Sequence, residues 1–572
     1  MVQKAGLRVF PGAIRREYEA NLERGRRLLW VQALIDKNPS IFEKQDRAAH
    51  KVITNRLGWI DSVRRMPAEI VRLQTLVEDV RKSGVVHLFI LGMGGSSLAP
   101  EVFGKIFGRR SWLKSYEVVD STAPSRLEGL LKGVDLTRSF FIVSSKSGTT
   151  IETASQFRFF FRLVKQVRPL KAGNFFTAVT DAGSELHRMA RRNRFREVFL
   201  NPADIGGRYS ALSFFGLLPA AFTRANLTDL LAGAQDCLHR MESSPADNEA
   251  LELGVLMGCA ASRGYDKLSC LASPRIAPFV PWVEQLVAES TGKEGTGVIP
   301  IDGEHPSAWS TAGTDRTFVS MAMAGEKHPL PISTLSGRSP IPRAAITLSG
   351  PQALGAEMLT WEMATAVAAV VMGVNPFDEP NVSESKKNTT AIIRENRRLR
   401  RRVVSIEPLC REAALDIMTA TDIRGHAAQG KKTAADVMNR FLSGAVPGDY
   451  FAILCYAEMV PEMERLLDRL RLAIQVRTGI ATLRGFGPRY LHSIGQLYKG
   501  GAPKGHFLVI ERDYSVDFTI PKLSLPFSHL IKAQAQGDIK ALAKRNRPVV
   551  TVNVKTDPAA GLRRLVELVR GR

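Results

Sequence analysis

Six stretches of this chain carry side chains that could grip an anion or move a proton. SSKSGTT (144–150) follows the apolar run Phe140-Phe141-Ile142-Val143 with three serines, two threonines, a glycine and a lysine. Hydroxyls and free backbone N–H groups at a helix start donate to anions, and glycine lets the backbone come close. A plain strand-to-helix loop uses the same residue types, because Ser and Thr also cap helices. LGMGGSSLAP (91–100) sets Gly92, Gly94 and Gly95 after another apolar run and opens a helix with Ser96 and Ser97. It lacks the GxGxxG spacing of a dinucleotide site. NPADIGGRYS (201–210) puts Arg208 behind Gly206 and Gly207, where a guanidinium can stabilise an oxyanion or simply face solvent. WVEQLVAESTGKEG (282–295) places Gln285 and Glu289 four apart, on one helical face. GVNPFDEPNVSESKKNT (373–389) offers Lys386, with Lys387 beside it, and reads otherwise as a loop before a basic helix start. GFGPRYLHSIGQLYKGG (485–501) offers His492, with Gln496 four residues on. Histidine suits proton transfer near neutral pH, although a lone one more often has a structural role.

These side chains need a scaffold, and the hydrophobic pattern supplies one. VVHLFILG, YEVVD, FFIVSS, FFTAVTD and EVFLN are apolar runs separated by helical patterns. Such alternation predicts a parallel sheet covered on both faces, spanning 81–235. Further runs at 267–273, 297–301, 317–323, 344–350, 449–456 and 506–511 predict a second α/β domain over 236–535. Residues 1–80 read as amphipathic helices, and 536–572 as a C-terminal strand and helix. The expected class is therefore α/β, with two doubly wound, mostly parallel sheets. In such sheets ligands sit at the strands' C-terminal ends, where the glycine turns fall.

Composition narrows the function. The chain has 572 residues, 79 Lys+Arg against 56 Asp+Glu, and a net charge of +23. The basic clusters REYEANLERGRRL, ARRNRFR and RENRRLRRR lack interleaved aromatics, so no specific nucleic-acid partner is expected and most of the charge reads as a solvated face. The run AVAAVVMGV (366–374) is too short for a bilayer and reads as a core helix. No membrane partner is expected, and the N-terminus lacks an apolar signal core, so a cytoplasmic location is expected. The five cysteines have no metal-ligand spacing, so neither a disulfide framework nor a metal site is expected.

Taken together, GMGGSSL, SKSGTTIET, GGRYS, QLVAESTGK, NPFDEPNVSESK and GPRYLHSIGQ resemble the motifs of the sugar-isomerase (SIS) domain proteins, and specifically the phosphoglucose isomerases. The likeness covers most of 85–535 and is strongest to the isomerase module of bifunctional transaldolase/phosphoglucose isomerases. It implies interconversion of glucose 6-phosphate and fructose 6-phosphate through a cis-enediolate, without metal or organic cofactor, in a homodimer. It implies Gly95, Ser96, Ser145, Lys146, Ser147, Gly148, Thr149 and Thr150 around the phosphate, with Gln285 and Gly207 also at the substrate. Glu289 would be the base, Arg208 the charge partner of the enediolate, and Lys386 and His492 the ring-opening groups. In the common isomerases the histidine motif precedes the lysine motif; here it follows. His305 and His328 lie nearer the usual order but lack the flanking pattern. Two other functions fit parts of the pattern: an isomerase of mannose or amino-sugar phosphates, and a non-catalytic sugar-phosphate sensor that binds nucleic acid.

Overall fold

The computed structural model describes residues 6–305, 315–329, 340–399, 408–421, 433–523, 525–555 and 557–571. Its first sheet is wholly parallel, in the order Ser115–Val119, His87–Leu91, Ser139–Ser144, Phe176–Asp181, Glu197–Asn201. The two inner strands HLFIL and SFFIVS are buried at every position, which requires helices on both faces. Phe141 stacks on Phe89 at 5.1 Å and on Phe176 at 4.7 Å, and Phe160 of helix Ile151–Val167 closes the cluster. Each such aromatic pair contributes about 0.5–1.5 kcal/mol beyond its buried area. The cluster fixes the helix that begins at the hydroxyl-rich loop. Because all five strands run one way, the turns after Leu91, Ser144 and Asn201 share one edge of the sheet.

The expected class, α/β with mostly parallel sheets, is what the chain adopts. The strands expected within 236–535, however, divide between two sheets. One has the order Gly6–Phe10, Arg343–Leu348, Arg316–Met323, Lys267–Ala272, Ile299–Asp302, antiparallel only at its first pair. The other runs Cys410–Arg411, Leu415–Thr421, Val549–Val554, Gly505–Arg512, Tyr450–Cys455, Ala481–Phe486. The N-terminal strand and the strand near the C-terminus are thus built into these sheets. Apolar runs mark strands but do not say which strands pair, so sequence separation is a poor guide to sheet membership.

Helix Val280–Thr291 follows strand Lys267–Ala272 and carries Gln285 and Glu289. The short turn Arg489–His492 follows strand Ala481–Phe486. The apolar stretch Pro351–Met372 has the length and hydropathy of a membrane span, but 78% of its 18-residue apolar window is buried. Helices Leu227–Ser243 and Glu249–Ser262 pack on it, as expected of a core helix. All five cysteines are free, and four of them are buried.

Candidate active site

The glycine turn after Leu91 is where the sheets meet. Gly94 has φ +59°, and a Cβ there would stand 2.7 Å from the His492 carbonyl oxygen and 2.9 Å from Gln285 Nε2. A Cβ on Gly95 would stand 1.9 Å from the carbonyl oxygen of Gly207. Only glycine permits these approaches. They bring the 91–100, 201–210, 282–295 and 485–501 motifs into contact within one chain.

Glu289 is the centre of that contact. Its Oε1 lies 3.1 Å from Arg208 Nη1, and its Oε2 accepts from Gln285 Nε2 at 3.1 Å. The same Gln285 nitrogen donates to the His492 carbonyl at 2.8 Å. Arg208, 3% exposed, uses its whole fork. Nε donates to Ser290 Oγ at 3.0 Å, and Nη2 to the carbonyls of Pro376 and Asp378 at 2.7 and 2.8 Å. Nη1 also meets Glu379 Oε2 at 3.3 Å. Four hydrogen bonds and the ion pair to Glu289 engage the fork, so the guanidinium both holds the NPFDEP loop and neutralises Glu289. Burial pushes the Glu289 carboxyl above the ordinary carboxylate range; Arg208 pulls it back and Glu379 adds to the rise.

Lys293, in the same AESTGKEG motif, ties this loop down from the other side. Its Nζ donates to the carbonyls of Asn375 and Asp378 and pairs with Asp378 Oδ1 at 2.6 Å. Burial, helped by nearby Arg208, lowers its pKa to about 8. Gln496 links the loop to the histidine segment: its Nε2 donates to Asn381 Oδ1 at 2.8 Å, and its Oε1 accepts from the Asn381 amide at 3.0 Å.

His492 faces a second carboxylate. Its Nε2 lies 3.0 Å from Glu152 Oε1, which also accepts from Gln534 Nε2 at 2.6 Å. Both line a cavity of about 120 Å³, together with Ser147, Thr149, Thr150, Thr389 and Lys499. Lys499 is fully buried and paired with Asp538 at 2.6 Å. The loop is organised internally: the Gly148 amide donates to Ser145 Oγ at 3.1 Å, and Ser147 and Thr149 hydroxyls share a 2.7 Å bond.

The sequence-derived residues form two groups joined through the His492 segment: Glu289, Arg208 and Gln285 with the Gly95 and Gly207 backbone, and Ser147, Thr149 and Thr150 on the cavity, which neither Glu289 nor Arg208 lines. Three others stand apart from both. Lys146 turns away from the cavity: its Nζ pairs with Asp181 at 2.7 Å and donates to the Ala203 carbonyl at 2.8 Å. Lys386 belongs to helix Val382–Leu399, and its side chain lies outside what the structure describes. His328 is held in the second sheet between Ser320 and Thr347, at 2.9 and 3.1 Å. Glu152, Glu379, Lys499 and Gln534 were not singled out from the sequence. Glu152 stands two residues past the last hydroxyl of SKSGTT, and Lys499 inside GQLYKGG, so both had a signal. Glu379 likewise stands inside the quoted NPFDEP string, whereas Gln534 had no signal.

Residues 60–317 match the family described as phosphoglucose isomerase. A glucose-6-phosphate isomerase of Heliobacterium modesticaldum is 27% identical over 430 residues, covering 64% of this chain and 95% of that protein. One of Exiguobacterium sibiricum is 27% identical over 393 residues, covering 59% and 86%. The chain is thus similar to glucose-6-phosphate isomerases over much of its length. The fold agrees. A hypothetical protein of Thermus thermophilus superimposes with a TM-score of 0.56 at 23% identity, covering 68% of this chain and 99% of that one. A Chlamydia trachomatis glucose-6-phosphate isomerase gives 0.53 at 20% identity, covering 66% and 86%. The family match takes in the turns of the first sheet and the Glu289 helix, and ends before the NPFDEP and His492 segments.

Proposed function

We propose that this site interconverts glucose 6-phosphate and fructose 6-phosphate in the cytosol, with Glu289 as the base. The observation that carries the assignment is the placing of one buried carboxylate between Arg208 and Gln285, against the glycine turn and the His492 segment. The hydroxyls of Ser147, Thr149 and Thr150 and the helix start behind them hold the phosphate, an anchor remote from the reacting carbons. His492, oriented by Glu152, moves the proton that opens the ring. Glu289 then takes the proton from C2 and returns it to C1. As the carboxylate becomes neutral, the negative charge passes to an enediolate oxygen, and Arg208 is already beside it. The guanidinium thus exchanges one anionic partner for another without moving far. The cavity of about 120 Å³ is smaller than the ~300 Å³ at which ligand pockets usually begin, and neither Glu289 nor Arg208 lines it, so substrate binding has to widen it toward that pair.

The styles of AESTGKEG and GFGPRYLHS support a finer assignment, to isomerases that work with a transaldolase. The resemblance also supports a homodimer, which light scattering would test. A sensor without catalysis is disfavoured because base, cation and histidine come together in one place. The deciding experiment is a coupled assay for fructose 6-phosphate formation on the wild type and Glu289→Gln. Turnover in the wild type and its loss in the variant, with retained binding of a sugar phosphate, is expected. Full turnover in the variant would overturn the assignment of the base.

A further inference from the structure

A second cavity, of about 620 Å³, lies on the first sheet domain away from the active site. Its walls are helix Ile151–Val167, helix Glu185–Arg192 and the Pro521–Lys522 turn. Arg158, Arg162 and Lys165 recur along one face of the first helix, and Arg188 and Arg192 line the second; Lys522 closes the end. Glu185 is the one carboxylate in the lining. None of the six cations has an acidic partner within salt-bridge distance among the described residues. Some cations elsewhere on the surface do have acidic partners. Arg72 pairs with Glu69 and Glu197, Arg81 with Glu78, Lys132 with Glu128, and Arg564 with Glu412 and Glu567. Like charges four apart on a helix repel, so crowding them around one concavity is unfavourable unless an anion enters it.

The floor is not charged. Phe161 and Met189 are half-buried there, with Phe157 behind them at 5.1 Å from the Phe161 ring. A concave site of this size, with a cationic rim and an aromatic base, suits an anion that also carries a flat apolar group. Arg158 to Lys165 covers about 10 Å at the rise of an α-helix, enough for a chain of phosphates. Arg162 lies about 18 Å along the helix from Thr150, so the cavity is separate from the active one. Both walls nonetheless join the phosphate loop: helix Ile151–Val167 follows it, and the Glu185 amide donates to the Ser147 carbonyl at 3.3 Å.

We infer that this groove binds a nucleoside di- or triphosphate, the phosphates across the arginines and lysines and the base against Phe161 and Met189. Calorimetric titration of the full chain with ATP, inorganic triphosphate and a single-stranded oligonucleotide tests it, on wild type and on Arg162→Glu/Arg192→Glu. A second pair, Arg27→Glu/Arg394→Glu, makes the same change of net charge elsewhere; unchanged circular dichroism and isomerase activity establish that both variants fold. Saturable ATP binding is expected, weakened at least about tenfold by the groove pair and little by the control pair. Triphosphate is expected to bind more weakly than ATP. Absence of ATP binding, equal effects of the two pairs, or triphosphate binding as tightly as ATP would overturn the inference. So would an oligonucleotide binding more tightly than ATP through the same two arginines.

Discussion

Glu289 and Glu152 are two buried carboxylates built on one plan and given different partners. Each sits on a helix, and each meets one side-chain amide and one cationic or titratable group: Arg208 and Gln285 for Glu289, His492 and Gln534 for Glu152. Arginine stays charged throughout, so Glu289 has a fixed positive neighbour whichever way its proton goes. Histidine changes charge near neutrality, so Glu152 has a partner that can itself carry a proton. The first arrangement suits a carboxylate that exchanges protons with carbon; the second suits one that orients an imidazole. On the proposed mechanism the same acid serves as a base or as a positioning group according to what stands beside it.

Amide substitutions test that division most severely. Glu289→Gln should lower kcat by about 10²–10⁴-fold while leaving sugar-phosphate affinity close to normal, measured by steady-state kinetics and calorimetry. Glu152→Gln should cost less, about 10²-fold, and should hurt ring-form substrate more than open-chain substrate. Combined with His492→Asn it should be far from additive, since the two residues act together. An equal loss on both substrate forms would erase the distinction between the two carboxylates.

The turn that joins the two regions is the next place to press. Gly95→Ala drives a Cβ into the Gly207 carbonyl, with backbone on both sides, and should destabilise the protein by about 1–3 kcal/mol in urea unfolding. The smallest effect is one of pH. Burial and then Glu379 raise the Glu289 carboxyl, which must be ionised to act as a base, so activity is lost as pH falls through that raised value. Glu379→Gln removes one cause of the rise. The acid limb of kcat/KM should therefore move to lower pH, and a limb that stays in place would show that Glu379 does not face the base.

How much of this was legible beforehand differs between the two carboxylates. Glu289 came with a helical Gln285 four residues earlier and a distinctive flank, and its place on a helix following a strand was readable from periodicity. Arg208 was marked by its glycines, but its hold on the Pro376 and Asp378 carbonyls was not, because those atoms are more than 160 residues away in sequence. Glu152 stands inside SKSGTTIET, where the hydroxyls are the stronger local signal. Its role depends on His492 and Gln534, 340 and 382 residues away. Lys146 fails in the opposite way: its position in a phosphate-binding string suggested a contact, and Asp181 across the strand ends takes its charge instead.

The sequence alone determined the local chemistry of this protein: where strands end in glycine and hydroxyl turns, which helix carries the Gln–Glu pair, and that parallel strands present their turns at one edge. Those features depend on neighbours a few residues apart, through hydrogen bonds and side-chain periodicity. Only the tertiary structure decided which strands share a sheet, that Arg208 and Lys293 clamp one distant loop from two sides, and that His492 meets Glu152. Such contacts join segments from 82 to 340 residues apart, and what selects them is packing and charge neutralisation across the whole fold.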